Sequence, residues 1–361
     1  MNYEEFKDKF QNDLKEAIEE HTGKEVNVGF RDVEKVNTSY EEITVTPVDS
    51  NVGVNVNSTA IYDAVQNGMS FEEAVERTAK VTERGLQEAS VIDAQVFTDY
   101  DQMKDKLIMQ VVSTERNAEL LEKVPHTEME DMSVVYRFQV ESGEEGIGTI
   151  LVTNEMLDRY DISAEQLHAD AMENAPELKP AVIKGMTETM MEIMGEDFDG
   201  MFPQELIPED EKMYVATVPD KTQGASVIAY QDFMDQAAEK IGGDFYVIPS
   251  SVHEVLLVKD DGEFDAKSLQ AMVVEVNATQ VAPEDVLTDN VYHYDSKERI
   301  FEMADKFEAR MQDRETVEND REEKGSVLQD LASKQKEVQA KDASKDAAEK
   351  APKKDKGEVS L

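Results

Sequence analysis

The chain has 361 residues, with 80 acidic and 37 basic side chains for a formal net charge of −43, and it contains neither Cys nor Trp. Without Cys it can build no disulfide framework, thiolate zinc site, iron–sulfur cluster or cysteine nucleophile. A charge of this sign is repelled by phosphates and anionic head groups, which argues against direct nucleic-acid or membrane-surface binding. The 40% hydrophobic residues supply a real core, and at about 150 residues per domain the length suggests roughly two domains.

Met1-Asn2-Tyr3-Glu4-Glu5-Phe6 has neither a basic n-region nor an apolar h-region, so it does not read as a signal peptide. Apolar runs such as Leu107 to Val112 fall far short of the roughly 18 residues of a membrane span. The expected location is the cytoplasm. The acidity is uneven: Gln312 to Leu361 holds 11 basic and 13 acidic residues, so residues 1–311 carry a net −41.

In chain order, Phe6, Phe10, Leu14, Ala17 and Ile18 recur at helical spacing and predict a helix over 3–21, closed by Gly23 as a left-handed cap. Strands are expected at Val26 to Phe30, Ile43 to Val48 and Val52 to Val56, with a turn at Asp49-Ser50-Asn51. Ser58 or Thr59 is expected to cap a short helix to Gln66, and Ser70-Phe71-Glu72-Glu73 is a capping box for a helix over 71–89. A second module starts near Ala94. It holds a strand at Leu107 to Val112, a short helix at Asn117 to Glu122, and a hairpin of Met132 to Val140 with Gly146 to Val152. Helices follow at Asn154 to Tyr160, Ser163 to Glu173 and Pro180 to Met194, and residues 195–211 read as a linker. In the third module, Met213 to Val218 is expected to pair with Ala225 to Ala229. A helix over 231–241, strands Phe245 to Ile248 and Glu254 to Lys259, and a helix from Ala266 to about Ala278 complete a ββαββα order. Ile300, Ala304, Phe307 and Met311 predict an amphipathic helix over 297–312. Beyond it, Val327, Leu328, Leu331 and Val338 offer one weak stripe of fewer than three heptads, too little for a stable coiled coil.

The expected class is therefore α+β: short antiparallel sheets with helices on one face, then a C-terminal helix and a disordered tail. The expected organisation is 1–93, 94–211 and 212–296 as three α+β modules, 297–340 as a helical extension and 341–361 as the tail.

Several phrases are familiar: Thr114-Glu115-Arg116-Asn117 with Glu119-Leu120-Leu121, Val124-Pro125-His126, Val134-Val135-Tyr136-Arg137, Gly146-Ile147-Gly148-Thr149-Ile150-Leu151, Asn174-Ala175-Pro176-Glu177-Leu178 and Pro249-Ser250-Ser251-Val252-His253-Glu254. With them the chain resembles an uncharacterised domain-of-unknown-function family, family 5688, of Gram-positive gut anaerobes, over roughly residues 1–310. Ser163 to Leu167 and the segment from Gly242-Gly243-Asp244 through Pro249-Ser250-Ser251 are more weakly similar to a second uncharacterised bacterial family. The resemblance implies a fold boundary before the tail and a context near mobile elements. It implies no catalytic residue.

Chemistry-bearing candidates are few. Ser250, Ser251, His253 and Glu254 form the one local cluster with nucleophile, base and acid types. On a strand Ser251 and His253 would share a face, but a hydrolase also needs the base within reach of the serine and a third group orienting it. Pro-Ser-Ser is equally an ordinary turn, and no Gly-x-Ser-x-Gly elbow is present. Glu165-Gln166-Leu167-His168 has the Glu-x-x-His spacing of di-iron bundles without the required second pair. His253-Glu254 begins like a zinc-protease motif, but position 257 is Leu. His21 fits a helix C-terminus. Gly143, Gly146 and Gly148 lie between strands and suit a hairpin better than a phosphate loop. The acid clusters Glu196 to Gly200 and Asp260-Asp261-Gly262 lack the calcium-loop pattern. Met186, Met190, Met191 and Met194 stripe one helix and are expected to fill core. No cofactor or metal is expected.

The leading expectation is a non-enzymatic, acidic cytoplasmic binding or accessory protein, in a mobile-element context, with a basic protein partner. One alternative is a DNA mimic, which requires acids aligned on one face at about the 1.7 Å charge spacing of a duplex. The other is a hydrolase using Ser251 and His253.

Overall fold

The computed structural model of the chain describes residues 1–50, 53–89, 96–142, 146–194, 211–249, 251–317 and 334. Four apolar side chains at helical spacing, Phe6, Phe10, Leu14 and Ile18, are fully buried along one face of α1 (Tyr3–Thr22). The Asn2 side chain caps its first turn by accepting from Glu5 N–H, and Gly23 closes it in the left-handed region at φ 66°. Next come β1 (Val26–Lys35) and β2 (Thr38–Pro47), then β3 (Val54–Asn57), α2 (Ser58–Gln66) and α3 (Phe71–Ala89). The strands form an antiparallel sheet in the order β1-β2-β3. Helix α1 packs on β1 and α3, closing a core in which Phe6 stacks on Phe10 at 4.9 Å and Phe71 meets both rings edge-on.

The hairpin is longer than its apolar pattern. Arg31 to Tyr40 is mostly polar and extends well past the predicted strands to a turn at Val36-Asn37. Asn57, not Ser58 or Thr59, caps α2 by accepting from Ala60 N–H. Ser58 is instead buried between the Tyr3 hydroxyl at 2.8 Å and the Glu41 carbonyl at 2.6 Å.

The second sheet is organised by one long strand. After α4 (Tyr100–Met103), β4 (Leu107–Ser113), α5 (Ala118–Leu121) and β5 (His126–Met129) comes β6 (Met132–Ser142), followed by β7 (Gly146–Leu151), α6 (Asn154–Tyr160) and α7 (Ala164–Leu178). Its 11 residues let β6 pair β4 along one edge and β5 then β7 in tandem along the other. Ser163 caps α7 by accepting from Gln166 N–H, and the helix continues through Pro176.

The third sheet has six antiparallel strands in the order β13-β12-β10-β11-β9-β8. Its strands are β8 (Val182–Gly185), β9 (Met213–Thr217), β10 (Phe245–Ile248), β11 (Val255–Lys259), β12 (Tyr292–Asp295) and β13 (Ile300–Met303), with helices α8 (Met186–Met194), α9 (Gln231–Ile241) and α10 (Ala266–Thr279) between them. The second and third sheets share one core, in which Tyr136, Phe138 and Leu167 join Ala216, Phe245 and Leu257. The architecture is α+β with antiparallel sheets.

Four expectations are corrected here. The predicted helix over 180–194 is strand β8 followed by α8, because β-branched Val182 and Ile183 and helix-breaking Gly185 gain a ladder partner in β9. Ala225 to Ala229 does not pair with β9. It lies in a buried 3-10 helix, Gly224–Ala229, an ambiguity inherent in short apolar runs. Ile300 starts no helix: residues 300–303 form β13 against β12, and the helix spans 304–317. The methionine stripe does not fill core, since Met186 and Met191 are half-buried, Met190 is 48% exposed and neighbouring Ile193 is 73% exposed.

Contacts divide the chain into Met1–Met303 and Ala304–Leu361. Val52, Gly143, Ser250, the acid cluster 196–200, the linker as far as residue 210, the stripe residues Val327, Leu328, Leu331 and Val338, and the 341–361 tail lie outside the described residues. No helix among the described residues is long and apolar enough to cross a membrane.

The α9–β12 junction gives a pH prediction. Asp235 accepts from the Tyr294 hydroxyl at 2.6 Å and from Arg299 Nε at 3.0 Å. The Tyr294 bond, and then Arg299, hold its carboxyl below the usual carboxylate range. A depressed carboxyl contributes stability that is complete above the unfolded value, about 3.9, and that is lost as pH falls through the lower folded value. Stability should therefore fall more steeply between about pH 4 and pH 2 in the wild type than in Asp235→Asn. Parallel pH profiles from urea titrations would contradict this.

Candidate functional site

Of the predicted serine–histidine cluster, the structure places Ser251 and His253 with their side chains on different partners. Residues 251–253 are bends leading into β11, not the strand on which Ser251 and His253 would share a face. The Ser251 Oγ accepts the backbone N–H of His253 at 3.1 Å, so the hydroxyl is engaged by main chain. The imidazole is held elsewhere: Gln223 N–H points at Nδ1 at 3.5 Å and Nε2 lies 3.2 Å from Asp285 Oδ1. This arrangement places the ring proton on Nε2 for donation to Asp285. No hydrogen bond among the described residues joins the Ser251 hydroxyl to the ring. Glu254 precedes β11 and is half-buried, and Ser250 lies outside the described residues.

His168 is half-buried on α7, and its Nδ1 lies 2.8 Å from the Tyr136 hydroxyl. Burial pushes the imidazole pKa down, and burial pushes the Tyr136 phenol up, so the neutral ring accepts from the phenol. His21, in the last turn of α1, sits 3.7 Å from a Glu76 carboxylate oxygen and 3.9 Å from one of Glu83. Among the described residues no group of three or more His, Asp or Glu side chains is placed to hold a metal.

The structure instead opens a cleft of about 890 Å³ where the β4–α5 loop meets the loop before β12. Its walls carry Glu115, Arg116, Asp131, Thr288, Asp289 and Asn290. Asp131 comes from the tight β5–β6 turn, in which Glu130 adopts φ 61°. Its carboxylate accepts from Thr288 Oγ1 at 2.8 Å, Asn290 Nδ2 at 3.0 Å and the buried Tyr292 hydroxyl. Burial, and then the carboxylate itself, push the Tyr292 phenol well above its ordinary pKa, so it remains a donor. Asn277 Nδ2 holds the same loop from α10, bonding the Thr288 carbonyl at 2.9 Å and Asp289 Oδ1 at 2.8 Å. Arg116 Nη1 donates to the Pro283 carbonyl at 3.1 Å.

Of these cleft residues only Glu115 and Arg116 were visible as part of a motif. Asp131, Thr288, Asn290 and Tyr292 belong to turns and to a strand that carry no local signature. The rim is a polar, concave surface where the β4–α5 loop, the β5–β6 turn and the loop before β12 come together. The chain belongs to a family of unknown function, DUF5688, which matches residues 3–296. No curated protein and no solved structure matches it.

Proposed function

We propose that this protein is a non-enzymatic cytoplasmic binding or accessory protein whose cleft receives a basic segment of a partner protein. The observation that carries the reading is the charge of the cleft: Glu115, Asp131 and Asp289 stand against Arg116, which is itself turned to the Pro283 carbonyl. The net −41 on residues 1–311 would steer a cationic segment toward the body by long-range attraction.

The test is fluorescence anisotropy of a labelled octa-arginine peptide with the full chain at low and high salt. Any acidic protein attracts such a peptide, so the comparison between variants decides. Glu115→Gln with Asp289→Asn should weaken binding about fivefold or more, while Glu16→Gln with Glu20→Gln on exposed α1 positions should cost less than about twofold. Equal losses from the two pairs would leave only nonspecific attraction, and the reading would fall.

A further inference from the structure

The cleft does not end at Arg116. A second cavity of about 370 Å³ shares Glu115 and Arg116 with it and is walled on its far side by Lys35, Asn37, Thr38 and Ser39 from the β1–β2 turn. A side chain that brings that turn to the rim is Asn37. Its backbone N–H donates to Asn117 Oδ1 at 2.7 Å, and Asn117 Nδ2 returns a bond to Asn37 Oδ1 at 2.8 Å. Its own Nδ2 reaches the Glu284 carbonyl at 2.8 Å and the Val286 carbonyl at 3.2 Å. Asn37 does this at φ 59°, a left-handed conformation that Asn tolerates better than most residues. Beside it, Val36 packs onto Val112, Leu120, Leu121, Val124 and Val135.

The register of these bonds is informative. Arg116 takes the carbonyl of Pro283, and Asn37 takes those of Glu284 and Val286. Asp285 is held from the other side, its carbonyl by Val252 N–H at 2.9 Å and its carboxylate by His253. Consecutive carbonyls of one loop thus tie all three sheets together at the point where the two cavities meet.

We propose that the two cavities form one groove, that the β1–β2 hairpin is its far wall, and that Asn37 is the positioning residue that latches the hairpin there. The inference rests on the basic-segment reading above and extends it. The partner lies as an extended basic segment with its cations toward Asp289, Glu115 and Glu119, and touches both the pre-β12 loop and the hairpin tip. Segment binding and latching then favour one another by the same factor, as linkage requires.

Asn37→Gly tests this, because glycine keeps the left-handed turn while deleting three of the four bonds. Two readouts are taken on the full chain: hydrogen exchange, and anisotropy with the same octa-arginine peptide. Exchange of amides 36–39 should quicken about tenfold in the variant, with residues 43–46 unchanged, and peptide affinity should fall about fivefold to tenfold. In the wild type, saturating peptide should slow exchange at 36–39. Unchanged exchange in Asn37→Gly would overturn the latch. Equal peptide binding by the two chains would overturn the single groove while leaving the basic-segment reading intact. A wild-type chain that holds no peptide would sink that reading and the groove with it. A circular dichroism spectrum matching the wild type checks that the variant is folded.

Discussion

Asp131→Ala should destabilise the chain by about 3–5 kcal/mol, a large fraction of a typical domain's stability. One carboxylate accepts from three side chains, Thr288, Asn290 and Tyr292. Tyr292 is fully buried and Thr288 is 6% exposed, so neither hydroxyl is offered ready replacement by water. Bonds to a charged acceptor are the stronger kind, and orphaned buried donors keep their desolvation cost. Asp131→Asn should cost roughly half as much, since the amide still presents one oxygen but turns an N–H₂ toward donors. Urea unfolding measures both, and a loss below about 0.5 kcal/mol for the alanine variant would show that the network is not a structural pin. The same alanine change should erode the cleft, because the carboxylate ties the β5–β6 turn to the wall that carries Asp289.

Gly224→Ala should cost about 2–4 kcal/mol through steric overlap rather than backbone strain. Gly224 opens the buried 3-10 helix, and a methyl group there would run into the Thr217 side-chain oxygen and the His253 carbonyl. Those two atoms are bonded to each other at 2.7 Å, and Ala225 N–H reaches the Val252 carbonyl at 3.2 Å. The added methyl must therefore separate β9 from the turn before β11 and break at least the Thr217 bond. Adding Thr217→Ala should recover part of the loss, whereas the His253 carbonyl still clashes. Thermal unfolding of the two single variants and the double variant would show this as a non-additive cycle. Strict additivity would mean that the methyl is accommodated elsewhere.

Much of the fold was legible because its signals are local. The buried face of α1, the Ser70 cap, the start of α7 at Ser163, the end of α9 before Gly242 and the β6–β7 hairpin are each set by residues close in sequence. Elements that depend on distant partners were hidden. Strand β8 exists because β9 is there to pair with it, and Tyr292-His293-Tyr294-Asp295 is polar enough to pass for loop although it lies fully within a sheet. The cleft was less legible still. Asn37, Arg116, Asp131 and Thr288 meet across separations of about 80 to 250 residues, and no spacing rule links them. Conversely, Ser251 and His253 were conspicuous because they lie two residues apart in sequence. That proximity says nothing about where an imidazole points, and this one points to Asp285.

Among the described residues, the first core draws its members from Tyr3 to Leu86. Its long-range closure is that of α1 onto β1 and α3, within the first quarter of the polypeptide. During synthesis nothing in that core has to wait for β4 to leave the ribosome, whereas the core shared by the second and third sheets stays open until the tyrosines of β12 have emerged. The hairpin tip that carries Asn37 is thus in place long before the loop it grips exists.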